Sequence, residues 1–246
     1  MNTARLFVLL LCVTTWLRAE EILVPIGEWP PFIGKSMPNK GLSTYIVTNA
    51  LEQAGHKANV QSISWTRALA MAKSGTPMVI PAIWYTSERE EYLRFSRHYL
   101  TSQLVFVSPA ARPYQFDSKE HTLDGKRIAL VKGLAYPQDL RTRWLPHSHI
   151  HEVSSLEETL QALLSGKIDV TISDNLVAHY HATRMFGKEP LIYIDPHPIL
   201  EKQVFIAISR TTADSKNILR KINHTIDDVL NRGYLSEALD RYIDGY

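Results

Sequence analysis

The chain has 246 residues, 45% hydrophobic and 21% charged, the balance of a folded protein with a sizeable core. A formal charge of +2 leaves no basic stripe for nucleic acid, and a single cysteine, Cys12, excludes a disulfide framework. No segment is apolar over the ~20 residues needed to span a bilayer.

Residues 1–19 read as a secretory signal: Arg5 precedes the apolar run Leu6–Val13, and Ala19 supplies a small residue at the expected cut. Its removal takes Arg5, Arg18 and Cys12, and leaves 25 basic against 25 acidic residues. Cys12 is not expected to carry a lipid, because Leu11 stands where a small residue would precede such a cysteine. The rest is expected to be exported and held by its core alone.

In chain order, a strand is expected near 22–26, followed by Trp29-Pro30-Pro31-Phe32, a helix near 42–54 and a strand near 58–63. A helix near 65–74 opens on Trp65-Thr66-Arg67-Ala68, and the apolar run Val79–Ile83 predicts a strand over 78–83. The segment Trp84-Tyr85-Thr86-Ser87-Glu88-Arg89 then opens a short helix and runs on to Phe95-Ser96. A strand over 103–108 leads into a proline-containing stretch at 109–113. Beyond it the pattern predicts strands near 127–131, 149–153, 168–172 and 191–194, with helices near 137–144, 155–165 and 174–185. A strand over 203–208 returns, and helices near 212–231 and 234–243 close the chain.

Shifting the chain by 91 positions lays Ser64, Leu69, Ser74-Gly75 and Val79 over Ser155, Leu160, Ser165-Gly166 and Val170. Each copy reads as a capped helix ending at glycine, then an apolar strand. Two such units imply two similar α/β lobes with mostly parallel sheets flanked by helices.

This order of elements and motifs resembles the type II periplasmic solute-binding proteins, nearest the polar amino-acid receptors of ABC importers (extracellular solute-binding family 3). The resemblance runs over nearly the whole mature chain. It implies two lobes joined by two crossing hinge strands, with lobe 1 formed by 20–108 and 205–246 and lobe 2 by 109–204. It also implies a ligand cleft between them. The implied function is a monomeric periplasmic receptor closing on a small polar or carboxylate-bearing solute, an amino acid or related compound. Its implied partner is an inner-membrane ABC permease or sensor, and no cofactor is expected.

The resemblance assigns Arg89 to clamp a ligand carboxylate and Asp174 to hold an α-ammonium. The residues themselves leave other roles open. Arg89 would serve as a helix arginine paired with Glu90 or Glu91, Asp174 as a plain N-cap, and Arg67, which the resemblance aims at the cleft, as a surface residue. Trp29, Trp84, Tyr85 and Tyr136 are expected to border the cleft, with core packing the alternative for each. Phe32 and Trp65 belong to the same aromatic set.

Some positions depart from the resembling receptors. Pro81, Ala82 and Trp84 stand where small hydroxyl residues are usual, and Gly133-Leu134-Ala135 replaces a glycine–hydroxyl turn. Pro77-Met78 replaces a strand aspartate whose repeat partner, Asp169, is kept. His147, His149 and His151 alternate and share one face if extended. A solvated strand edge is expected there, with no metal. An enzyme of the periplasmic prephenate or arogenate dehydratase type is the alternative on this fold, but Ser173 stands beside Asp174 and no acid–base pair is evident. A module binding no solute and serving a protein partner is the third reading.

Overall fold

The computed structural model describes residues 20–117, 122–132, 136, 138, 140–187, 189–231 and 237. The expected signal, the turn at Gly133–Ala135 and nearly all of the helix expected near 234–243 lie outside these residues.

The apolar run at the start forms β1 (Glu21–Ile26), and α1 (Leu42–Gln53) returns the chain to β2 (Lys57–Ser62), which pairs parallel with β1. Gly41 makes the entry to α1 possible. Its φ of +95° is unfavourable for side-chain-bearing residues, and a Cβ there would meet the Phe32 carbonyl oxygen at 2.4 Å. The Ser43 amide donates to that carbonyl at 2.9 Å, seating α1 on the Trp29–Phe32 segment. Next come α2 (Trp65–Lys73), β3 (Val79–Trp84), the single turn α3 (Ser87–Glu90) and a short strand, β4 (Leu93–Phe95).

Two ten-residue strands join the halves of the molecule: β5 (Leu100–Pro109), and the later β10 (Leu200–Ser209). They pair antiparallel over Leu100–Leu104 and Leu200–Val204. Beyond that ladder they part. β10 continues against β3 and β4, whereas the second half of β5 pairs with strands of the other lobe. That second lobe contains β6 (Arg127–Val131), β7 (His149–Val153), α4 (Leu156–Leu164), β8 (Val170–Asp174), α5 (Asn175–Phe186) and β9 (Ile192–Ile194). β6 lies parallel between β7 and β8, as the strand–helix–strand repeat predicts. α6 (Ser215–Asn231) packs back on α1. The molecule is thus two-lobed, each lobe a sheet flanked by helices, with two strands crossing between.

Alternation along β5 places Val105 and Val107 on one face and Leu104 and Phe106 on the other, as the two-residue period of a strand requires. The first pair joins a core that also contains Ile46, Leu51, Ile222, Leu160 and Val177. The second joins Leu123, Ile128, Trp144 and Ile172. A third cluster, with Met78, Ile80, Ile83 and Leu93, packs with Leu69, Met71 and Ala72 of α2.

The repeat differs at its caps. Ser155 caps α4 by accepting from the Glu158 amide at 3.2 Å, and Glu158 answers by accepting from the Ser154 amide at 2.8 Å. Ser64, at the matching position, makes no side-chain cap. Where Asp169 forks onto Arg127, the lobe 1 partner Met78 is fully buried, and its amide donates to Thr212 Oγ1 at 3.0 Å. The segment expected as a helix over 137–144 forms a wide helical turn, Leu140–Trp144, among its described residues. β4 is an additional strand that the sequence reading did not separate from the Arg89 helix.

Candidate functional site

The Trp29-Pro30-Pro31-Phe32 turn follows β1 directly, and its Pro30–Pro31 peptide is cis. Trp29 meets Phe32 edge-on at 5.0 Å between ring centroids and Trp84 at 6.1 Å. Trp84 ends β3, so the strand presents its indole at the sheet's carboxyl end, where α/β sheets bind ligands. It packs against both the cluster that contains Val105 and the one that contains Leu104. Its Nε1 is buried and has no hydrogen-bond partner.

Arg89 belongs to the same group. Thr86 caps α3 by accepting from the Arg89 amide at 3.2 Å, which turns the arginine back toward the strand end. Its Nη1 donates to the Trp84 carbonyl at 2.7 Å, and its Cζ sits 5.5 Å from the centre of the Trp65 ring. The guanidinium is half-buried, and that burial pushes its pKa down from the ordinary arginine value. Among the described residues, no carboxylate pairs with it; Glu88 pairs with Lys73 instead, at 2.9 Å. Trp29, Trp65, Trp84 and Arg89 therefore form one contiguous set.

Asp174 ends β8 and caps α5. Its Oδ1 accepts from the Leu176 and Val177 amides at 2.9 and 3.2 Å, and its Oδ2 accepts from the Ser102 hydroxyl at 2.5 Å. The residue is 6% exposed, and burial raises its carboxyl pKa against the lowering effect of these donors. Its next neighbour, Asn175, carries a buried Oδ1 without a partner.

The other candidates lie apart. Arg67 is exposed on α2 and makes no described ion pair. Tyr85 follows Trp84 and points the other way, as neighbours in extended chain do. It is 46% exposed, donates to Glu90 Oε2 at 2.5 Å, and packs edge-on against Phe95. Tyr136 folds into its own lobe, where its phenol oxygen accepts from the Val131 amide at 3.0 Å. His149 and His151 are exposed on the edge strand β7, and no metal-holding group of side chains occurs among the described residues. Two open surface cavities, of about 400 and 200 Å³, lie elsewhere, the first against α6 and the second beside Arg112 and Asp169.

Sequence reasoning did not single out Ser102 or Asn175. A lone serine in an apolar strand carries no signal, and Asn175 gains interest only from its buried, unpartnered oxygen.

Residues 24–245 match the family model of the bacterial extracellular solute-binding proteins, family 3. The virulence sensor protein BvgS of Bordetella pertussis is 26% identical over 162 residues, covering 65% of this chain and 13% of that protein. The chain thus spans about an eighth of the length of the curated relatives it matches. Among solved structures, the arginine-bound substrate-binding protein AbpA of an amino acid ABC transporter from Streptococcus pneumoniae superimposes with a TM-score of 0.71 at 18% identity, covering 92% of this chain and 97% of that one. The glutamate complex of the GluR0 ligand-binding core from Nostoc punctiforme gives 0.69 at 22%, covering 91% and 100%. The chain belongs to the bacterial extracellular solute-binding proteins, family 3.

Proposed function

We propose that this family 3 solute-binding protein is a periplasmic receptor whose lobes close on a small carboxylate-bearing solute. One observation carries the reading. Among the described residues, Arg89 presents a half-buried, always-charged fork of donors of which one is bonded, to the Trp84 carbonyl, and no carboxylate is paired with it, since nearby Glu88 is bound to Lys73. A desolvated cation of this kind is stabilised by an incoming anion. Trp29 and Trp84 supply apolar walls beside it. In this reading the signal is cleaved after residue 19, and the lobes divide at 108/109 and 204/205. The protein acts as a monomer toward an ABC permease or a sensor. The match to a protein named as a virulence sensor supports the sensor branch; the likeness to an ABC transporter component supports the importer.

The dehydratase reading needs an acid or base free to move a proton, whereas Asp174 is buried under its own donors. Prephenate incubated with the protein is expected to give no product above the uncatalysed rate.

The deciding experiment is a thermal-shift screen of small acids and amino acids. A true ligand at 100 times its Kd stabilises by about 2.7 kcal/mol, readily seen as a higher Tm. No shift with any of them would remove the receptor reading.

A further inference from the structure

We infer that the solute is an anion without an α-ammonium group: a 2-oxo, 2-hydroxy or unsubstituted carboxylic acid rather than an α-amino acid. This rests on the receptor reading above and narrows it.

An ammonium taken out of water needs acceptors with free lone pairs, and most strongly a carboxylate. Asp174 is the acid at the expected place. A carboxylate offers about four lone-pair positions. The Leu176 and Val177 amides occupy Oδ1, the Ser102 hydroxyl occupies Oδ2, and the Gln103 amide bonds to the group as well. Turning Asp174 toward a ligand would strip the N-cap of α5 and leave the buried Ser102 hydroxyl without its acceptor.

The neighbouring acceptors repeat the pattern. The Trp84 carbonyl, beside the clamp, already takes Arg89 Nη1. Glu28, next to Trp29, is exposed to water and accepts from the Lys35 amide at 3.1 Å, so it offers no desolvated charge. The buried acceptor left open beside Asp174, Asn175 Oδ1, is neutral; it suits a hydroxyl and does not offset a cation.

Donors are in surplus instead. Most of the Arg89 fork is unused, and Trp84 Nε1 is buried with nothing to donate to. The indole stands at a position where the resembling receptors carry small hydroxyl residues. Buried, unmet donors together with a carboxylate already occupied by its own donors select a ligand that is charged through acceptor oxygens and carries no cation, because a polar group left unpaired on either side costs affinity.

Titration calorimetry with matched acids tests this: L-glutamate against 2-oxoglutarate and glutarate, and L-phenylalanine against phenylpyruvate and 3-phenylpropionate, on wild type and Arg89→Ala. The expected result is that in at least one series the amine-free acid binds tenfold or more tightly than the amino acid, and that Arg89→Ala weakens it at least tenfold. An amino acid that binds as well as or better than its amine-free partners, and is weakened by Arg89→Ala, overturns this inference and leaves the receptor reading standing. If no acid of either kind binds wild type, both fall.

Discussion

The Ser102 hydroxyl donates to Asp174 Oδ2 at 2.5 Å, tying the crossing strand β5 to the first turn of α5. Both residues are buried. Ser102→Ala leaves Asp174 in place with one donor fewer, and an under-satisfied buried group of this kind costs about 1–3 kcal/mol. Urea unfolding should show that loss with an unchanged m value. A variant as stable as wild type would show the bond to be dispensable.

Asp169 accepts from Arg127 Nε at 3.1 Å and Nη2 at 2.7 Å, and from the Arg127 amide at 2.9 Å. The fork lowers its carboxyl pKa from 3.8 to about 2. A depressed folded pKa gives stability that is complete above the unfolded value and is lost as pH falls through the folded one. Asp169→Asn should therefore cost about 1–2 kcal/mol at neutral pH, the half-exposed setting of Arg127 reducing the full value. The difference from wild type should vanish between about pH 4 and pH 2. Unfolding curves across that range check it; a difference that persists at pH 2 would assign the loss to packing instead.

Arg89→Ala should weaken an anionic solute by roughly one to two orders of magnitude, since a hydrogen bond to a charged group contributes about 1.5–3 kcal/mol. Arg89→Lys should restore only part of it, because a point charge does not reproduce the fork. Unfolding curves should shift little, as Arg89 makes no ion pair that holds the fold. Wild-type affinity in Arg89→Ala would move the clamp elsewhere, with Arg67 the next residue to test.

Closure is the fourth expectation. The β5–β10 ladder spans five residues of each strand, short enough to bend as the lobes move. Saturating ligand should lower the radius of gyration in small-angle scattering. An unchanged profile with proven binding would mean that the lobes are already shut in the free protein.

Much of the fold was legible because long apolar runs bounded by turn residues fix strands wherever they lie. β6 and β7 fall at the expected residues, and β1 and β2 begin one residue earlier. β4 escaped because three residues carry no periodic signal; it exists through β10, which pairs with β5 up to Val204 and with β4 from Ala207. At the candidate site, the turn that carries Arg89 was legible because a capped turn after a strand is a local device. The direction of Asp174 is not local. It depends on Ser102, 72 residues away in sequence and brought close only by the pairing of β5 with β8. Strand alternation separates the Trp84 and Tyr85 side chains, a rule that two adjacent aromatics in an extended segment already imply.

Trp84 packs against two of the molecule's core clusters through one indole. That makes it a built-in optical gauge. A rotation that drew the indole out of the second cluster would bring water to Nε1, and indole emission moves to the red as its surroundings become wetter. The spectrum of wild type minus Trp84→Phe would then follow closure without a dye, and its stopped-flow time course would separate the motion from the binding step that precedes or follows it.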